Sequence, residues 1–273
     1  MAISTISCLL AVPTGVMVSQ NPSITKFKLH GMRSLVLPSK PVGDRITVQY
    51  DERSETKYFF IRAEKEIFHP FVYAPNGVNK GTCPAVNIGF PFCINAGLFN
   101  PRPSTYEPEG IIIENGIVIQ NKPAAFYPDS MPLTIDKSGN LWYAEADVDA
   151  CALVERGIVS AVCGFMPIVI DGKAVPPERW TKVPHYDKPH QRQIISQFAN
   201  GDYAIITCEG RGYANSPGWT ITDAQRICVE HGLEFAYNLD GGTSTELVVD
   251  GEQLTSKYER AADRFAPTFI VFN

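Results

Sequence analysis

Six small or polar residues stand together at Asp240-Gly241-Gly242-Thr243-Ser244-Thr245, after the approach Tyr237-Asn238-Leu239. A carboxylate followed by two glycines and three hydroxyls suits ligand binding. Glycines let backbone N–H groups come close to a ligand, and hydroxyls add donors. The same residues can also close a tight turn, with Asp240 bonded to its own backbone. What other strands bring to this point decides between the two.

Three other stretches repeat the pattern of polar groups at the end of an apolar run. Phe90-Pro91-Phe92-Cys93-Ile94 runs into Asn95-Ala96-Gly97. Tyr203 to Cys208 runs into Glu209-Gly210-Arg211-Gly212. His190-Gln191-Arg192 opens a further strand-like run, and on a strand residues two apart share a face. A histidine and a guanidinium on one face suit an oxyanion, with the arginine as a bidentate donor. They suit a solvated face as well, and Asn95 could simply satisfy a turn. Taken together, the two glycine turns and two arginines favour a phosphorylated or otherwise anionic ligand. No GxxxxGK[ST] or GxGxxG is present, so the usual nucleotide cradles are unsupported. No HExxH or metal-spaced cysteine pair is present, which argues against zinc. No cofactor is required, although Asp240 and Glu209 would admit a divalent cation.

These strand ends need a sheet to carry them. The chain has 273 residues, 44% hydrophobic and 19% charged, enough for one large domain or two small ones. Its net charge of −5 gives no basic footprint for nucleic acid. Gly and Pro number 21 each, which predicts many turns and short strands. Ile111 to Gln120, with Asn115-Gly116 between β-branched runs, reads as a hairpin. Leu133 to Tyr143 reads as a second. The spacing predicts helices over 147–162, capped by Asp147 or Asp149, and over 220–231, capped by Thr220. Four prolines make 174–189 an irregular loop, long enough to be functional, bearing Trp180, His185 and Tyr186. The expected class is α+β, a largely β-sheet core with a few packed helices and many hairpins. Residues 1–90 are expected to form an N-terminal β-rich or attachment region, and 91–273 the main domain. The apolar stretch 1–18 lacks a basic start and is broken by Pro13 and Gly15, a poor signal peptide and too short for a membrane span. The seven cysteines, an odd number without CxxC, read as buried free thiols; three disulfides would fit an exported protein.

Asn238-Leu239-Asp240-Gly241-Gly242-Thr243-Ser244, with Val248-Val249-Asp250-Gly251 after it, resembles the NLDGGGS signature of the phosphodiester glycosidase family. Ile94 to Asn100 resembles that family's INGGFFD, and Gly164 to Gly172 its GGPxLVxDG. His190-Gln191-Arg192 is similar to HPR, Glu209-Gly210-Arg211 to DGR, and Ser216 to Thr220 to SxGMT. Arg264 and the final strand match a terminal NR…P pattern. The resemblance runs from about Ile94 to the C-terminus. Departures are Gln191 for a proline, Glu209 for an aspartate, Thr243 for the third glycine and Glu246, a second carboxylate expected near Asp240, for a threonine.

The resemblance implies cleavage between a sugar's anomeric carbon and a phosphodiester oxygen, through an oxocarbenium-like transition state. It implies Asp240, Glu209, His190 and Arg211 as catalytic groups. Asn95, Arg192, Asn238, Gly241, Gly242, Ser244 and Gly218 would bind substrate. The expected partner is a phosphorylated glycan or sugar-1-phosphodiester, with room for a homo-oligomer or virion partners. A competing expectation is a phage tail component or glycan-binding module without activity; a cyclic-nucleotide-like phosphodiesterase, which would need clustered metal ligands, is the weakest. A cytoplasmic or phage origin fits the opening segment better than a lysosomal one.

Overall fold

Short β-branched and aromatic runs between glycine and proline punctuation become strands in the computed structural model. It describes residues 24–28, 34–38, 42, 45–77, 81–100, 106–179, 185–256 and 265–273. The opening segment 1–18, Leu29-His30, Trp180 and Arg264 lie outside the described residues. Strands are numbered in chain order. The largest sheet runs Lys173–Ala174 (β13), Met166–Ile170 (β12), Phe235–Asn238 (β16), Gln193–Gln197 (β14), Tyr203–Cys208 (β15), Thr56–Ala63 (β4), Ile46–Asp51 (β3). A second runs Glu252–Gln253 (β18), Leu247–Val249 (β17), Phe92–Asn95 (β6), Phe269–Phe272 (β19), Pro70–Tyr73 (β5). The third runs Leu141–Tyr143 (β10), Leu133–Asp136 (β9), Ile158–Val162 (β11), Ile112–Glu114 (β7), Ile117–Gln120 (β8). Ile24–Lys28 (β1) and Ser34–Pro38 (β2) form a two-stranded sheet of their own. Neighbouring strands are antiparallel throughout.

The central strands are buried on both faces, so successive residues alternate between two cores. Ile195, Ile205, Tyr237 and Leu239 join a cluster shared by all three large sheets, with Ile94 and Ile270 from the second and Ile112 and Leu133 from the third. Their neighbours Ile194, Ala204, Ile206 and Ala236 pack instead with Ile221, Ala224 and Ile227 of helix α2 (Ile221–Glu230). The outer face of the second sheet is covered by Ala85, Ile88 and Phe90. That of the third is covered by Ala150 and Leu153 of helix α1 (Ala150–Glu155). Each buried Ile, Leu or Phe among these contributes ~1.5–3 kcal/mol by leaving water. This is the α+β, sheet-dominated architecture read from the sequence.

Local signals set the ends of elements. Asn115 and Gly116 both take positive φ, 50° and 76°, as a two-residue hairpin turn between β7 and β8 demands. Thr220 and Asp223 form a reciprocal capping box on α2. The helix expected over 147–162 is shorter. Asp149 caps it, but it ends at Glu155, and 158–162 is strand β11. Gly157 at φ +89° stops the helix, and the β-branched Ile158-Val159 lead into pairing with β9. The six described cysteines are free thiols. Burial pushes Cys163 and Cys208 up to about 12.

Candidate active site

Strand register brings the polar ends together. β14 pairs Gln193 with Thr207 near the end of β15, and Ile194 with Asn238 at the end of β16. The segment entering β14 (190–192) and those leaving β15 (209–211) and β16 (239–242) therefore share one edge. β6 adds Asn95, whose Nδ2 donates to the Asp240 carbonyl at 2.8 Å while its Oδ1 accepts from Glu246 N–H at 3.0 Å. Asn95 thus braces both ends of the 240–246 turn.

The glycines serve close packing more than ligand approach. Gly241 N–H donates to Asp240 Oδ1 at 2.8 Å and Gly242 N–H to the Gln191 carbonyl at 2.9 Å, so both donors expected to face a ligand are taken within the protein. A Cβ on Gly241 would lie 2.6 Å from the Gln191 carbonyl oxygen, and one on Gly242 2.9 Å from the Arg211 guanidinium. Gly218, at φ +101°, would carry a Cβ 2.6 Å from the His190 carbonyl. Gly218→Ala should therefore cost several kcal/mol, ~1–3 from backbone strain and the rest from the clash. Gly212→Ala, at φ +86° with nothing within 4 Å, should cost the strain alone. Thermal unfolding of the two variants side by side checks this.

The charged groups divide into two kinds. Arg192 is buried, and it donates from Nε to the Trp219 carbonyl and from Nη2 to the carbonyls of His185 and Lys188, at 2.8–2.9 Å. It fastens the 185–190 loop to the sheet. Burial lowers its pKa to about 10. Glu209 is equally committed: Oε1 accepts from Ser256 N–H and hydroxyl, and Oε2 from Gln191 Nε2. Gln191, at the position where a proline was expected, also reaches the Ser256 carbonyl. Glu246 is fully buried, and its Oε1 accepts from Ala85 N–H beneath the cover of the second sheet. Arg211 differs from these. It is exposed, rests against Gly242, and its guanidinium makes no ion pair or hydrogen bond among the described residues.

His190 lies outside β14, bridging to Trp219 through its backbone. Both ring nitrogens are buried and without a hydrogen-bond partner among the described residues. Burial lowers its pKa from 6.5 to about 4, helped by the charges of Arg211, Arg192, His185 and Lys188. The ring is therefore neutral at pH 7. Its folded pKa lies below its unfolded one, so the unfolded chain protonates first. The stability it contributes is complete above about 6.5 and is lost as the pH falls toward 4. Denaturant titrations across that window should show wild type losing stability that His190→Gln does not lose. Parallel profiles would contradict the assignment. Asn238 Oδ1, Ser244 Oγ and Thr245 Oγ1 are also buried and unpartnered among the described residues, all on the same strand end and turn. Buried polar atoms without partners are costly, and these gather beside the Asp240 turn.

Sequence reasoning missed four contributors. Thr56 Oγ1 accepts from Gly218 N–H, the Lys57 carbonyl accepts from Glu209 N–H, and Ser54 Oγ accepts from Trp219 Nε1. These residues of β4 and its turn hold the 209–219 loop from far away in the chain. The orphaned Thr245 hydroxyl was legible only as part of a polar run. Ser256 carried no signal. Among the described residues no group of three or more His, Cys, Asp or Glu gathers to hold a metal ion.

Antiparallel sheets whose ends gather a carboxylate, a neutral histidine with buried ring nitrogens and a guanidinium without a partner among the described residues make an α+β protein with its candidate site at one sheet end. The chain belongs to the phosphodiester glycosidase family, whose profile matches residues 89–273. It is 29% identical over 154 residues to the SPbeta prophage-derived uncharacterized protein YomE of Bacillus subtilis (strain 168), covering 56% of this chain. The chain spans about a quarter of that relative's length, 24%. The fold is similar to the zebrafish N-acetylglucosamine-1-phosphodiester alpha-N-acetylglucosaminidase catalytic domain, auto-inhibited by its pro-peptide. The TM-score is 0.64 at 15% identity, over 84% of this chain and 81% of that one. It is similar too to a hypothetical protein from Synechocystis, with TM-score 0.59 at 14% identity over 83% and 61% of the two chains. These likenesses concern the fold. Among the described residues no helix is long and apolar enough to cross a membrane.

Proposed function

We propose that this site hydrolyses a sugar-1-phosphodiester between the anomeric carbon and the phosphodiester oxygen. The observation that carries this reading is the buried, partnerless His190 ring near the uncommitted Arg211 guanidinium at the Asp240-Gly241-Gly242 turn. Water adds to the anomeric carbon, the carbon–oxygen bond breaks, and the products are a free sugar and a phosphomonoester. Negative charge builds on the departing phosphate, so a cationic donor matters more than a strong acid. Arg211 takes that role. His190, neutral, donates to a phosphate oxygen or carries a proton between water and leaving group. Asp240 stabilises the sugar cation or activates the water. Asn238 and Ser244 bind sugar hydroxyls or phosphate oxygens. Arg192, Asn95, Gly218, Gly241 and Gly242 hold this arrangement in shape. Glu209, with its oxygens engaged by Ser256 and Gln191, braces the turn at 256. The structural relative's name makes an N-acetylglucosamine-1-phosphodiester the first substrate to try.

The relationship to a prophage-derived protein supports a second reading, a glycan-binding virion part without turnover. Incubation with the N-acetylglucosamine-1-phosphodiester separates the two. Released N-acetylglucosamine supports hydrolysis; saturable binding without release supports the binding module.

A further inference from the structure

We propose that the cleft beside Trp142 is a second ligand site, one that takes the neutral sugar residues of an oligosaccharide. Trp142 lies on β10, an edge strand of its sheet, with 45% of its surface exposed. Its ring packs beside Phe235, with centroids 5.3 Å apart and planes 30° apart, and beside Tyr143 at 5.4 Å and 32°. A cleft of about 340 Å³ opens there, lined by Trp142, Tyr143, Glu145, Asp147, Val148 and Arg156 among others. That volume falls within the ~300–1,000 Å³ of small-molecule sites.

The lining matches sugar chemistry. A pyranose ring presents a face of C–H bonds, which an exposed indole receives by dispersion and through its electron-rich face. Its rim of hydroxyls needs acceptors and donors. Glu145 and Asp147 supply the first and Arg156 the second, as charge-assisted hydrogen bonds. None of the three side chains makes a hydrogen bond or ion pair among the described residues, although both signs line the same cleft. With the Arg179 guanidinium 5.8 Å over the Tyr143 ring, two carboxylates meet two guanidinium groups around the cleft, a balance that suits a neutral sugar better than a charged one.

The cleft stands apart from the Asp240 turn. Phe235, against which Trp142 rests, opens β16, and Asp240 follows its far end. Five residues at ~3.3 Å each put the two roughly 16 Å apart along the strand. The Trp142 site would thus hold a neutral segment of a glycan independently of whatever happens at Asp240, and it does not rest on the catalytic reading.

Calorimetric titration of the full chain with tetra-N-acetylchitotetraose and with cellotetraose, both neutral, tests this. Saturable binding of at least one tetramer is expected, weakened about tenfold or more by Trp142→Ala. The double variant Glu145→Gln/Asp147→Asn, which leaves the ring stack intact, should weaken it as well. Asp240→Asn should bind as wild type does. Absence of binding by both tetramers at millimolar concentration would overturn the proposal. So would binding that Trp142→Ala and the double variant leave unchanged.

Discussion

Arg211→Ala lowers kcat/KM on a sugar-1-phosphodiester by about 10²–10³-fold while leaving folding stability nearly unchanged. Both halves of this expectation follow from where the side chain sits. Arg211 is exposed and spends none of its guanidinium donors on the described protein, so its removal orphans no buried group. Its φ of 57° is already left-handed, and alanine inherits that strain without adding to it. What is lost is the cation over Gly242, which opposes the charge that builds on the departing phosphate. The loss corresponds to about 3–4 kcal/mol of transition-state stabilisation. Arg211→Lys should recover part of the rate, since it restores charge but not the planar fork. Arg192→Ala should behave in the opposite way. It would strand the Lys188 carbonyl, at about 1–3 kcal/mol where it stays dry, and take one of two donors from each of the Trp219 and His185 carbonyls, which keep the N–H groups of His190 and Lys188. Steady-state kinetics and chemical denaturation on the same preparations distinguish a rate defect from a folding defect.

Asp240→Asn should lower kcat by about 10²–10⁴-fold, also without unfolding the protein. The substitution isolates charge. Asp240 Oδ1 accepts from Gly241 N–H at 2.8 Å, and an asparagine oxygen can accept that bond in the same place. The backbone bonds of Asp240 to Ala96 and Asn95 remain. A large fall in rate would therefore report the missing carboxylate and not a rearranged turn. Glu209→Gln supplies the contrast. Its oxygens face Ser256 and Gln191, so its effect should be on stability and on the 256 turn more than on chemistry. A rate loss at Glu209 equal to that at Asp240 would return it to the role of second catalytic carboxylate.

Local signals made much of the fold legible. Asn115-Gly116 marks its hairpin because only residues tolerant of positive φ fit both turn positions, and Thr220 marks α2 because its hydroxyl caps it. Where two periods overlap, local reading fails. Residues 147–162 satisfy a helical pattern, yet Gly157 breaks it and the second half finds strand partners more than 20 residues away in the chain, beginning with Ile158 beside Asp136. The site follows the same logic. Its positions were readable, because polar groups ending buried strands are conspicuous. The division of labour among them was not. Arg192 and Arg211 look alike in sequence, and so do Glu209 and Asp240. What separates them is whether a distant carbonyl or hydroxyl, at Trp219 or Ser256, has already claimed the charge. Hydrogen-bond partners of that kind belong to the folded chain, as do Ser54, Thr56 and Lys57, which hold the 209–219 loop from outside the matched region.

The proposed chemistry places the broken bond at carbon, not at phosphorus. Hydrolysis of an N-acetylglucosamine-1-phosphodiester in ¹⁸O-labelled water, followed by mass analysis of the phosphomonoester, reads that choice directly. The account predicts a phosphomonoester without label, since water's oxygen joins the anomeric carbon. Label in the phosphomonoester would mean attack at phosphorus and would contradict it.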